Sequence, residues 1–190
     1  MRGIIDAGMQ AGRATPAPDT AVTAANTSPV DLDPKQAHAQ RNVLVDAMLG
    51  SLYGPMLERA RRTLEQSAED PASGIGRIVA ALLDSAYARV KDDGRAIPPA
   101  VMFQAGMIAT QAIGEMAGRI GLIDEQADAE VIEAGFMAGL AQFGRANAKE
   151  MSEPERARYA ELITAMEEGK RQALESGNAK SSQPMAGGMR

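Results

Sequence analysis

The sequence contains no cysteine and no tryptophan, and it has a single histidine, His38. The absence of cysteine excludes disulfides, thiolate metal sites and cysteine nucleophiles. His38 lies in a polar stretch ahead of the first apolar pattern, where we expect a solvated surface residue and neither a triad base nor a zinc ligand. The sequence therefore predicts no catalytic residue, no metal site and no cofactor, and we expect a non-enzymatic protein.

Aromatic residues are also scarce, at 3% of the chain, and the formal net charge is -5. Strands favour aromatic and β-branched residues, so this composition disfavours a β-sandwich or a β-barrel. An acidic chain is poorly suited to neutralise phosphates along a backbone, and we expect no specific nucleic-acid binding. The apolar run near Met1 is too short for the core of a secretory signal, and we predict no signal peptide.

Two polar segments flank a region with helical periodicity. Residues 1–34 are rich in Ala, Thr, Pro, Asn and Ser, and residues 177–190 are rich in Ser and Gly. Segments of this kind bury too little apolar surface to offset the entropy lost on ordering. We therefore predict a flexible N-terminal arm at 1–34, one helical domain at 35–176 and a flexible C-terminal tail at 177–190.

The central region places apolar residues three and four positions apart, which predicts an all-α bundle of five to six helices. Proline, glycine and capping residues set the expected helix ends. We expect Ser73 and Asp124 as N-caps, a capping box from Ser152 to Glu155, and Gly177 as the last stop. The predicted helices span 35–53, 55–68, from Ser73 to Gly94, 98–121, 125–149 and from Ser152 to Gly177.

The two central helices each contain a glycine-spaced GxxxG pentad, Gly114–Gly118 and Gly135–Gly139. Glycine inside a helix costs about 1 kcal/mol relative to alanine, so several such glycines predict close contact between helix backbones. The short connection between the two helices predicts antiparallel neighbours. The candidate residues for helix packing or for an oligomer interface are Gly106, Gly114, Gly118, Gly135 and Gly139.

These glycines are compatible with packing inside a soluble bundle, with a tight contact between subunits, or with conditional membrane association. No charged residue occurs from Ala96 to Gly114, but the polar residues and prolines of this segment disfavour a permanent membrane span. At 100° per residue, four polar residues of the predicted helix 98–121 form one narrow stripe. This stripe, which predicts either a wet edge of the bundle or a polar lumen, consists of Gln104, Gln111, Glu115 and Arg119.

Three further patterns have structural interpretations. An acidic cluster begins at Asp124, but its spacing matches no calcium loop, and acidic residues are common at helix starts. The segment Gly74–Arg77 has glycines like those of a phosphate-binding loop, yet no strand precedes it, so we interpret it as a helix start. A small basic patch formed by Arg59, Arg61 and Arg62 predicts ordinary ion pairs with nearby glutamates.

The chain resembles the small internal, or ejection, proteins of short-tailed bacteriophages. The resemblance lies in the helical body at 35–176, the absence of catalytic residues, and the Ala-, Gly- and Met-rich centre at Ala105–Gly121 and Ala134–Gly144. The resemblance implies a protein that is packaged in the virion with other virion proteins. It also implies that, after ejection, the protein oligomerises as part of a DNA-translocation channel through the host cell envelope. The sequence lacks the glutamine-rich N-terminal region of the more familiar examples, so no functional residue is transferred.

We therefore expect a structural protein that forms a homo-oligomeric helical assembly, located in the virion and, after ejection, in the host envelope. The alternative is a helical adaptor or regulatory protein of the bacterial cytoplasm, monomeric or dimeric, whose tails recruit partners.

Overall fold

The computed structural model describes residues 33–124 and 128–181. All regular structure in these ranges is helical, which confirms the predicted all-α bundle of five to six helices. The predicted arm up to residue 32 and the predicted tail from residue 182 lie outside the described residues. The six helices are α1 (Pro34–Tyr53), α2 (Leu57–Glu65), α3 (Pro71–Asp92), α4 (Pro99–Arg119), α5 (Ala129–Asn147) and α6 (Glu153–Ser181).

Glycine ends two of the helices where the sequence predicts it. Gly94 follows α3 with φ 67° and Gly121 follows α4 with φ 75°, a left-handed conformation that glycine adopts without steric cost. The turn after α4 is closed by the Leu122 N–H, which donates to the Ala117 carbonyl at 3.0 Å. The predicted break between the helices at 35–53 and 55–68 is also confirmed, because α1 ends at Tyr53 and α2 starts at Leu57.

Both predicted N-caps are wrong by about one turn. Asp70, not Ser73, caps α3: its side chain accepts a hydrogen bond from the Ser73 N–H at 3.1 Å. Asp128, not Asp124, precedes α5, and its carboxylate accepts from the Asp124 N–H at 2.8 Å. In each pair both residues are good capping types, so local sequence does not decide between them.

The predicted end of α6 at Gly177 is also wrong, because the helix continues to Ser181. A glycine stops a helix only where the chain turns away after it. Inside a continuing helix it costs about 1 kcal/mol, which does not terminate the helix.

Helix α3 forms the centre of the bundle and contacts α1, α2, α4 and α5. Its apolar stripe is buried, as the periodicity predicts, and the buried side chains of α1 are Leu44, Met48 and Leu52. The described side chains of α6 are at most half-buried. The buried apolar residues of α3 are Ile75, Ile78, Val79, Ala80, Leu82, Leu83 and Ala86.

Candidate functional site

The most extensive helix pair is formed by α3 and α5, which run parallel. Gly135 lies beside Ala72 at the start of the contact, and the Asn147 side chain donates to the Asp84 carboxylate at 2.7 Å near its end. The sequence predicts α4 as the close neighbour of α5. The two do pack antiparallel, since Gly106 lies beside Phe136 and Gly114 beside Ile132, but the tightest packing of α5 is on α3.

Backbone contact between α3 and α5 depends on three glycines. A Cβ at Gly139 would lie 2.7 Å from the carbonyl oxygen of Gly76, and a Cβ at Gly135 would lie 3.1 Å from that of Ala72. On α3, a Cβ at Gly76 would lie 3.1 Å from the Gly135 carbonyl oxygen. Because these helices meet through backbone atoms, the glycines fill their role within one chain.

The glycines of α4 accommodate side chains of neighbouring helices. A Cβ at Gly114 would lie 2.6 Å from Cδ1 of Ile132, and one at Gly106 would lie 3.1 Å from Cδ2 of Leu83. Gly118 is half-buried and lines a shallow groove with Glu115. The two pentads therefore have different neighbours. Four of the five predicted packing glycines contact other helices of the same chain, and their part in an oligomer stays a prediction.

The polar stripe of α4 lies on the one side of this helix that is open to solvent. Gln104, Gln111 and Arg119 are exposed and Glu115 is half-buried. Two large apolar side chains share this side, since Met107 is 39% exposed and Ile108 is 40% exposed. We refer to Gln104, Met107, Ile108, Gln111, Glu115 and Arg119 as the open face of α4.

The open face is polar at its ends and apolar in its middle. Glu115 and Arg119 are one turn apart and form an ion pair at 3.5 Å, while the Arg41 guanidinium of α1 reaches the Gln104 side-chain oxygen at 3.5 Å. Next to the open face, Tyr53 is 45% exposed, and its hydroxyl donates to the Ala112 carbonyl at 3.5 Å. Tyr53 thus places a partly exposed aromatic side chain of α1 beside α4.

A groove of about 440 Å³ separates the open face from α6. Ile132 and Phe136 of α5 and Met166 of α6 line it with apolar side chains, and Met107, Gln111 and Glu115 line its α4 side. Glu133 of α5 lines the same groove and pairs with Lys170 of α6 at 3.2 Å. The stripe predicted from the sequence therefore divides, with Gln111 and Glu115 in the groove and Gln104 and Arg119 outside it.

Several interacting groups were not predicted from the sequence. Phe143 of α5 stacks edge-on against Tyr87 of α3 and Tyr159 of α6, with ring centroids 5.6 and 5.9 Å apart. Burial raises the pKa of the Tyr159 hydroxyl well above its usual range, with a further contribution from the negative charge of Glu155. These rings stabilise the junction of three helices.

The hydrogen bond between Asp84 and Asn147 was also not predicted. Desolvation by burial raises the pKa of Asp84, and the hydrogen bond from Asn147 opposes that effect. The two residues lie 63 positions apart, so only the parallel alignment of α3 and α5 brings them together. Gly76, the glycine of α3 that contacts α5, was indicated by the sequence, because Gly74 and Gly76 both interrupt a helical pattern.

No metal-ligand cluster and no membrane-spanning helix is present in the part of the chain that the structure describes. No group of three or more His, Asp or Glu side chains there could hold a metal ion. No described helix combines the length and the apolar character needed to cross a bilayer. His38 lies at the exposed start of α1, with its Nδ1 3.4 Å from the Asn42 side-chain nitrogen.

Comparison with known proteins gives no match: no protein-family model fits the chain, and no curated protein or solved structure is significantly similar to it. A functional assignment therefore depends on the open face and on the other surfaces of the molecule.

Proposed function

We propose that the protein is a non-enzymatic structural protein that forms a homo-oligomeric helical assembly through the open face of α4. The observation that carries the proposal is the exposure of Met107 and Ile108, at 39% and 40%, on a helix whose other sides are buried in the bundle. Both side chains lie on one helix of the bundle, and Tyr53 of α1, which is 45% exposed, lies beside that helix at Ala112. Exposed apolar patches rimmed by polar residues are typical of interaction sites.

A second copy of the same chain suits this surface. The side-chain amides of Gln104 and Gln111 both donate and accept hydrogen bonds, so the amides of two equivalent faces can hydrogen-bond to each other. Glu115 and Arg119 carry opposite charges on the same face, which allows reciprocal pairing across a two-fold axis or along a ring. The face has no net charge of its own, which suits contact between copies of an acidic chain.

The more specific proposal is a phage virion protein that contributes, after ejection, to a DNA-translocation channel in the host envelope. The support comes from the helical architecture and from the resemblance to ejection proteins. Association with other virion proteins and conditional association with lipid belong to the same proposal.

The test is the molar mass of the full chain in solution, measured by light scattering with and without liposomes. We expect a defined multiple of the 20.0 kDa chain mass. Ile108→Lys places a charge in the apolar middle of the open face and should shift the protein toward the monomer. The matched control is Val43→Lys, because Val43 is 65% exposed on α1 and lies outside the open face. A monomer in both conditions would overturn the proposal.

The alternative function, a cytoplasmic helical adaptor or regulator, is favoured by a different observation. Gly106, Gly114, Gly135 and Gly139 have their close contacts inside one chain, so the bundle needs no second copy to complete its packing. A stable monomer that does not bind lipid and binds a partner protein through the open face would support this alternative. Substitution of Gly139 does not separate the two, since it would disturb the α3–α5 contact in either case.

A further inference from the structure

A small basic groove lies between α2 and α3, away from the open face of α4. Its volume is about 170 Å³. Arg59 and Thr63 of α2 and Arg77 of α3 form its polar wall, and Met56, Ile78 and Ala81 are among its apolar residues. The groove thus joins two patterns of the sequence, the arginine patch of α2 and the segment Gly74–Arg77.

Arg77 is held in place by a buried hydroxyl. Its guanidinium donates to the Ser67 hydroxyl oxygen, and Ser67, only 6% exposed, donates in turn to the Thr63 carbonyl at 2.6 Å. Gly74 makes room for this arrangement, because a Cβ there would lie 2.8 Å from the Ser67 Cβ. An arginine whose position is fixed before binding loses less conformational entropy when a ligand arrives.

The positive charge of the groove is not compensated within the described residues. No carboxylate lines the groove, and neither Arg59 nor Arg77 forms an ion pair with any described residue. Two guanidinium groups without an ion pair therefore line one groove of a chain whose net charge is -5. Two like charges facing the same concavity repel each other, and a bound anion removes that cost.

We propose that this groove binds a phosphate group, either as the free ion or as a terminal phosphate monoester. Guanidinium groups match phosphate oxygens with paired hydrogen bonds, and a dianion balances the charge of two arginines. The volume is smaller than the roughly 300–1,000 Å³ of sites for drug-sized ligands, so only a compact anion is enclosed. The remainder of a monoester would extend into solvent.

The experiment is a calorimetric or NMR titration of the full chain with inorganic phosphate at low ionic strength. Arg59→Gln and Arg77→Gln should each weaken binding by about tenfold or more, because each removes charge-assisted hydrogen bonds. The matched control is Arg61→Gln, which makes the same charge change on the same helix but outside the groove; we expect less than a twofold effect. Ser67→Ala should weaken binding by an intermediate factor, since Arg77 loses its anchor.

Two further arms identify the source of the phosphate. Titration with glycerol phosphate tests a soluble monoester, and co-sedimentation with vesicles containing phosphatidic acid tests a lipid headgroup. Binding in either arm that depends on Arg59 and Arg77 supports the proposal. Failure of the unaltered chain to bind phosphate, or equal weakening by Arg61→Gln, would overturn it, because the second result indicates diffuse surface charge. Oligomer formation and lipid association through the open face are distinguished from phosphate binding because they should not change in Arg59→Gln or Arg77→Gln.

Discussion

Glycines within the single helix α5 have opposite environments. A Cβ at Gly139 would lie 2.7 Å from the Gly76 carbonyl oxygen and 2.7 Å from the Val79 Cβ, whereas a Cβ at Gly144 would have no neighbour within 4 Å. The intrinsic helix propensity of glycine is the same at both positions. Only the contact with α3 therefore distinguishes them.

We predict that Gly139→Ala lowers the free energy of unfolding by about 1–3 kcal/mol, because the added methyl group forces α5 away from α3. Gly144→Ala should instead raise it by about 0.5–1 kcal/mol through better helix propensity. Urea unfolding followed by circular dichroism measures both variants. Equal stability of Gly139→Ala and the unaltered chain would show that α3 and α5 are not in backbone contact in solution.

At the scale of elements, α6 differs from the other helices in how it is held. Tyr159, Leu162, Ile163 and Met166 pack on the core but are only half-buried. The central helix α3, in contrast, has seven buried apolar side chains, of which Ile75 and Leu83 have no exposed surface. Local opening costs least where few apolar contacts are lost, so α6 should open before α3 does.

The start of α6 is stabilised by the capping box that the sequence predicts. The Glu155 carboxylate accepts from the Ser152 N–H at 2.7 Å, and the Ser152 hydroxyl accepts from the Glu155 N–H at 3.4 Å. We predict that Ser152→Ala costs about 1 kcal/mol of local helix stability. Hydrogen exchange should then become faster in α6 and stay unchanged in α3.

The control for the capping prediction is Thr164→Ala. The Thr164 hydroxyl donates to the Ala160 carbonyl at 3.0 Å inside the same helix, at an exposed position. Removal of this hydroxyl leaves every backbone group in the first turn of α6 with its partner, so we expect little change in the rate of hydrogen exchange. If both variants accelerated exchange equally, the capping box would not be what stabilises the start of α6.

At the scale of the whole molecule, the balance of charge determines how the two proposed interactions respond to salt. Copies of a chain with net charge -5 repel each other, while the open face itself carries one carboxylate and one guanidinium in an ion pair at 3.5 Å. Salt shortens the Debye length from about 10 Å at 0.1 M to about 3 Å at 1 M. Repulsion between copies is therefore screened.

We predict that raising the salt concentration from about 0.1 M to about 1 M increases the assembled fraction of the protein, because repulsion between copies is screened. The same change should weaken phosphate binding, because that binding depends on attraction between opposite charges. Light scattering and phosphate titration at both salt concentrations test the two responses. Dissociation of the assembly by salt would indicate that ion pairs between copies, and not the apolar contact of Met107 and Ile108, hold the interface together.

Local patterns in the sequence were sufficient to predict the helices and several of their ends. Gly94 and Gly121 lie where a left-handed residue closes a helix, and the spacing of Ser152 and Glu155 is itself a capping signal. These features depend on residues only a few positions apart. Where two capping residues stood one turn apart, as with Asp70 and Ser73, the local pattern predicted the wrong one.

The partners of the helices were decided only by the tertiary structure. The sequence by itself determined that glycines of α4 and α5 require close neighbours, since their cost in a helix must be offset. It did not determine that α5 would lie parallel to α3, where Gly76 meets Gly139, or that Ser67 and Gly74 would bring Arg77 to the side of Arg59. Periodicity defines which face of a helix is buried, whereas the choice of partner depends on the fit between faces distant in sequence.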